Sequence, residues 1–208
     1  MKEEMKNYLL DVFGVIFIVL GITAIINSVI LTDNASQILW LCYFGLVIIG
    51  SGMIMKNDLM ILSQLNILTF PLIFWNIDFL YYLFTSSSLW GITDYMFIYS
   101  TITLGKLISL QHLFTIPLSI YALYLIKINN RKSWIWSFAQ MIIIYIFVVS
   151  FTNPIYNINC VFKPCLDYFL YVPLPYIITW FATSLIIISV TATIINWLPF
   201  IQKKRFKK

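Results

Sequence analysis

Six stretches of this chain are apolar for long enough to cross a bilayer, and no other feature restricts its fold as strongly. They cover residues 8–30, 38–55, 59–84, 107–126, 134–151 and 173–199. An α-helix rises about 1.5 Å per residue, so about twenty apolar residues reach across a hydrocarbon core of about 30 Å. Lipid offers no hydrogen-bonding partner, so a spanning segment must satisfy its backbone within itself, as a helix does. Charged residues make up only 10% of the chain, against about 25% in soluble domains. The runs predict an all-α, polytopic membrane protein, a six-transmembrane-helix bundle forming one integral membrane domain over residues 1–208. Residues 92–104 are too few and too polar to span, and they read as an interfacial or re-entrant segment between spans three and four.

Basic residues orient the bundle. With a cytoplasmic N-terminus, six crossings leave Lys2, Lys6, Lys56, Lys127, Arg131, Lys132, Lys203, Lys204, Arg205, Lys207 and Lys208 inside, eleven of the thirteen Lys and Arg. Only Lys106 and Lys163 fall outside, the asymmetry that the positive-inside rule describes. A multi-pass cell-membrane protein with both termini cytoplasmic is expected. The net charge of +5 then serves orientation and attraction to anionic lipid. The basic run 203–208 has no folded groove beside it, so nucleic acid is not an expected partner. The first run exceeds a signal-peptide core of about 7–15 residues and precedes no small-residue cleavage site, so it reads as a retained anchor. Trp90, Tyr95, Phe97 and Tyr99 on one side, and Trp134 and Trp136 on the other, suit the headgroup level. The aromatic content therefore calls for no cofactor.

Polar residues inside spans carry what chemistry there is. Span four holds the one histidine, His112, five residues before Pro117. Ser109, His112, Thr115 and Ser119 recur at helical spacing and form a stripe that should face protein rather than lipid. Cys42 on span two, Asp78 on span three and His112 all fall about 6–9 Å below the outer ends of their helices. Asn76 lies near this level, and Asn153, Asn157 and Asn159 lie in the loop above. A thiol is activated when an imidazole takes its proton, a carboxylate can orient that imidazole, and amides can hold an oxyanion. On this reading Cys42, His112 and Asp78 are catalytic, the four asparagines bind substrate, and the substrate is a lipid ester. The competing reading makes His112 and Cys42 packing residues, with Asp78 reaching outer water or capping a neighbouring helix. Cys160 and Cys165 in the outer loop read equally as a disulfide or as two thiols.

Other patterns are absent: there is no phosphate-binding glycine loop, no paired histidines for a metal and no G-x-S-x-G. Gly14, Gly21 and Ser28 on span one, and Gly45 and Gly52 on span two, recur every seven residues and predict close helix packing. Spans two, three and four are expected to be mutual neighbours. Two functions compete with a lipid acyl hydrolase or acyltransferase. One is a transporter or channel, against which stand the sparse inner polar residues and the lack of inverted repeats. The other is a non-enzymatic membrane scaffold. Membrane lipids are the expected partners, and the sequence specifies no oligomeric state.

Residues 75–79 (WNIDF), 91–97 (GITDYMF), His112 with Pro117, and 152–162 (TNPIYNINCVF) resemble a family of bacterial integral membrane proteins of unknown function, over roughly residues 38–180. Cys42 after Trp40 fits the same pattern. More remotely, the order is similar to the YwaF-type membrane proteins and their eukaryotic relative, a transmembrane acyltransferase acting on ether phospholipids. That resemblance implies correspondence at Cys42, at His112 and at the segment from Asn157 to Lys163 and Pro164. His112 and Pro117 also resemble a piece of the androgen-induced family of fatty-acid-ester hydrolases. The threonine nucleophile of that family has no counterpart at its spacing, Thr69 being the nearest.

Overall fold

A computed structural model describes residues 2–30, 35–98, 101–130, 132–165 and 174–202. Tyr99, Arg131, Pro173 and the basic run 203–208 lie outside the described residues. The fold is all-α. Helices α1 (Glu3–Ile30), α3 (Asp58–Thr85), α6 (Ser133–Phe151) and α7 (Tyr176–Trp197) are long and apolar enough to cross a membrane, as is the segment Leu104–Ile126. That segment is built from α4 (Leu104–Ser109) and α5 (His112–Ile126). The remaining helix, α2 (Leu41–Ile54), is shorter, at 14 residues. Large side chains such as Val19, Ile26, Ile143, Ile146, Ile186 and Ile194 are 50–62% exposed around the outside, a surface that suits lipid and not water.

Helix α3 is the hub and packs on α2, α5, α6 and α7. Asn57 caps its start by accepting from Leu59 N at 3.0 Å, and Ser86 ends it in the left-handed conformation with φ 56°. Its first half carries Ser63, Gln64 and Asn66, all buried. They meet polar residues of α6: Asn66 Nδ2 donates to Ser133 Oγ and Ser137 Oγ, each at 3.1 Å, and Gln64 Nε2 donates to Gln140 Oε1. Interhelical bonds of this kind contribute about 0.6 kcal/mol each in a membrane, so their main effect is to select the register of α3 against α6.

Helices α1 and α2 run antiparallel in close contact. A Cβ added at Gly14 would lie 2.8 Å from Gly50 O, and one at Gly21 would lie 2.9 Å from Tyr43 O. The expected small-residue packing is present, with one redistribution: Gly45 and Gly52 face Leu68 and Ile61 of α3, while Gly50 meets α1. The pairing puts the start of α1 beside the end of α2. Asp58 Oδ2 accepts from Asn129 N and Asn130 N, and Ile128 N donates to Ile201 O. Lys2, Lys6, Lys56, Lys127 and Lys132 therefore share one end of the bundle, called here the basic end.

Two expected continuous spans are broken, each for a visible reason. In place of a helix over 38–55, a 3-10 turn (Ala35–Leu39) precedes α2, with Trp40 extended between them. The exposed backbone groups at this break are taken by one side chain: Asn159 Oδ1 accepts from Leu41 N at 3.1 Å, and its Nδ2 donates to Leu39 O at 2.8 Å. The run 107–126 tightens at Leu110 and Gln111, where the bonds become i to i+3, and this sets His112 at the first turn of α5. Among the described residues, span six is helical from Tyr176, with Pro175 at its N-cap.

Candidate functional site

The far end of the bundle gathers most of the residues singled out from the sequence. α2, α3 and α5 are mutual neighbours there, as expected. Thr115 and Ser119 are buried, so the stripe on α5 faces protein.

Trp75 organises the centre. Its ring lies 4.7 Å from the His112 imidazole and stacks on Phe79 at 4.9 Å. Its indole Nε1 donates to Tyr95 Oη at 3.0 Å, tying the 92–98 segment to α3. Burial, the largest influence, raises the Tyr95 phenol above its ordinary value, so it stays neutral at physiological pH. The segment holding Tyr95 is a short 3-10 turn (Asp94–Met96), and Phe97 at its end stacks on Phe79 and Tyr82 of α3.

Beside Trp75, Asn76 Nδ2 donates to His112 O at 3.1 Å. Three polar atoms of this neighbourhood are buried without a hydrogen-bond partner among the described residues: Asn76 Oδ1, His112 Nδ1 and Gln111 Nε2. The Gln111 carbonyl side is occupied, since Thr115 Oγ1 donates to Gln111 Oε1. An unmet buried polar group costs about 1–3 kcal/mol, and natural proteins leave few of them. Gln111 and Trp75 are the participants that sequence reasoning passed over. The signal for Gln111 was its i, i+4 spacing to Thr115; Trp75 had no signal beyond its place in the WNIDF segment.

Asp78 turns elsewhere. It is fully buried, and its carboxylate accepts four bonds from the following loop, from Leu89 N at 3.0 Å, Trp90 N at 2.7 Å, Thr93 N at 2.8 Å and Thr93 Oγ1 at 2.8 Å. This carboxylate organises the 86–93 loop, and no hydrogen bond links it to His112. Cys42 is a free, half-buried thiol packed against the core. Among the described residues no hydrogen bond joins Cys42 to His112.

The loop asparagines also serve the backbone. Asn153 Oδ1 accepts from Ile155 N at 3.0 Å. Asn157 Oδ1 accepts from Phe162 N and Lys163 N, both at 3.0 Å. Asn159 clamps α2 as described, and its carbonyl accepts from Trp180 Nε1 at 3.2 Å. Cys160 and Cys165 form a disulfide, and Tyr176 Oη donates to Cys160 O at 2.6 Å. The loop is therefore a stapled cap joined to both α2 and α7. Among the described residues no three His, Cys, Asp or Glu side chains converge as metal ligands.

Fold and surface together define a multi-pass helical membrane protein. Compared with protein-family models, characterised proteins and solved structures, the chain finds no match.

Proposed function

We propose that this membrane protein binds the polar part of a membrane lipid at the His112 cluster, in the leaflet opposite the basic end. The observation that carries the proposal is the group of buried, unpartnered atoms Asn76 Oδ1, His112 Nδ1 and Gln111 Nε2. Gln111 Nε2 offers a donor, which suits an ester carbonyl. Asn76 Oδ1 offers an acceptor, which suits a hydroxyl, and an imidazole nitrogen can act either way. A lipid carrying an ester beside a free hydroxyl, such as a lysophospholipid or a partial glyceride, answers all three. Six crossings with both termini cytoplasmic, α2 and its 3-10 turn making the second, put this cluster in the outer leaflet. Reporter fusions after Lys132 and after Lys208 then both read cytoplasmic, and a cytoplasmic reading at Asn157 refutes the topology. The binding test is photo-crosslinking of the full-length protein in membranes with a diazirine lysophospholipid. Labelling is expected within residues 107–127 and is expected to fall in Gln111→Leu and His112→Leu. Equal labelling in wild type and both variants refutes the site.

A second reading adds chemistry: hydrolysis or transfer of the lipid acyl group with His112 as base. It is favoured by the unpartnered Nδ1, which leaves the imidazole able to accept a proton from an attacking hydroxyl. Cys42 is a nucleophile in this scheme only if its thiol comes within hydrogen-bonding reach of His112. An acyl-type activity probe decides, applied to wild type, Cys42→Ala, His112→Ala and the double variant. Labelling lost in each single variant, with no further loss in the double, identifies a working pair. Labelling kept in Cys42→Ala and lost in His112→Ala leaves a hydroxyl as nucleophile. A wild type that does not label removes the catalytic reading and leaves lipid binding.

A further inference from the structure

At the basic end, away from the His112 cluster, the start of α6 and the end of α7 line a groove of about 420 Å³. Trp134 from the first turn of α6 and Trp197, the last residue of α7, frame its mouth. The floor is one stripe of α7, formed by Ser189, Ala192, Thr193 and Asn196. Both tryptophans are exposed, at 43% and 82%, the arrangement expected of indoles at a headgroup boundary. From Ser189 to Trp197 the stripe extends about 12 Å along the helix, so it reaches from the boundary into the ester region of a leaflet.

Three polar residues on a helix face open to lipid are unfavourable against acyl chains. Thr193 answers its own need by donating to Ser189 O at 2.8 Å. Asn196 does not: its Oδ1 is buried and has no partner among the described residues. An amide oxygen requires a donor, which a hydroxyl or an ammonium supplies. Charge separates the two. Lys56, Lys127 and Lys132 lie at this end of the bundle, and Lys56 and Lys132 form no ion pair among the described residues. Such a surface repels a headgroup ammonium and attracts a phosphate.

We propose that the α6–α7 groove is a binding site for phosphatidylglycerol, with a headgroup hydroxyl donating to Asn196 Oδ1, the glycerol and ester region between Trp134 and Trp197, and the phosphate beside the lysines. The test uses full-length protein in phosphatidylcholine vesicles containing an increasing fraction of phosphatidylglycerol with brominated chains, which quench tryptophan on contact. Saturable quenching is expected, with most of it lost in the Trp134→Phe, Trp197→Phe double variant. Asn196→Leu is expected to raise the half-saturation point about tenfold. Asn196→Asp keeps the side-chain volume and adds a charge that repels phosphate, so it weakens binding in the same direction even if the leucine variant does not fold. Equal quenching by brominated phosphatidylcholine overturns the site. Equal half-saturation with brominated phosphatidylserine overturns the hydroxyl assignment, and wild-type binding in Asn196→Asp overturns the role of Asn196. None of these outcomes bears on the His112 cluster, at the other end of the bundle.

Discussion

Replacing Asp78 separates a structural carboxylate from a catalytic one. Its two oxygens accept four hydrogen bonds of 2.7–3.0 Å from the 89–93 segment, and the residue is fully buried. A hydrogen bond to a charged group contributes about 1.5–3 kcal/mol. In Asp78→Asn the amide oxygen keeps the bonds from Leu89 N and Trp90 N, now without charge assistance. The amide NH₂ replaces the oxygen that served Thr93 and faces the Thr93 N–H donor to donor, while the Thr93 hydroxyl turns to accept. One bond is lost and two are weakened, so the loop loses about 3 kcal/mol of attachment. The loss cannot exceed what holds the loop in place, because a detached loop hydrates its own amides. Hydrogen exchange of the full-length protein reads this locally: peptides covering 86–97 should exchange on the order of a hundredfold faster, with α6 and α7 unchanged. Wild-type exchange in Asp78→Asn refutes the capping role. Loss of lipid labelling at the His112 cluster with no loosened loop returns Asp78 to the chemistry.

Other consequences follow from named contacts. Asn159→Ala leaves Leu41 N and Leu39 O without their partner, costs about 2–3 kcal/mol, and should speed maleimide labelling of Cys42 as the start of α2 frays; unchanged labelling counts against the clamp. Gly50→Val sets a Cβ 2.5 Å from Gly14 O, a backbone atom that cannot step aside, so the α1–α2 contact opens at a cost of about 1–3 kcal/mol; a melting temperature equal to wild type in detergent would show that the helices do not approach this closely. Alkylation should find one thiol, Cys42, before reduction and three after it, and three thiols in the unreduced protein would remove the disulfide from the 152–165 loop.

What could be read from the sequence is what depends on each residue's own neighbours along the chain. Transfer from water to lipid is a sum over local side chains, so the apolar runs and their approximate limits were visible without any fold. The same holds for the gathering of lysines at one end, because alternating crossings follow from counting, and for the seven-residue spacing of Gly14 and Gly21, which is a property of one helix surface. Tertiary structure decided which polar groups meet. Asn159 and Leu41 are 118 residues apart, and Gln64 and Gln140 are 76 apart; no local pattern states either pairing. Cys42, Asp78 and His112 share a depth because depth follows from counting residues. Their directions follow from helix rotation and from the loop that folds back, and these send Asp78 to the 89–93 amides and His112 against Trp75. A hydrogen bond acts over about 3 Å, whereas register along a helix places an atom only to within a turn of about 5.4 Å. Residues at one level could therefore be named from the sequence, but their partners could not.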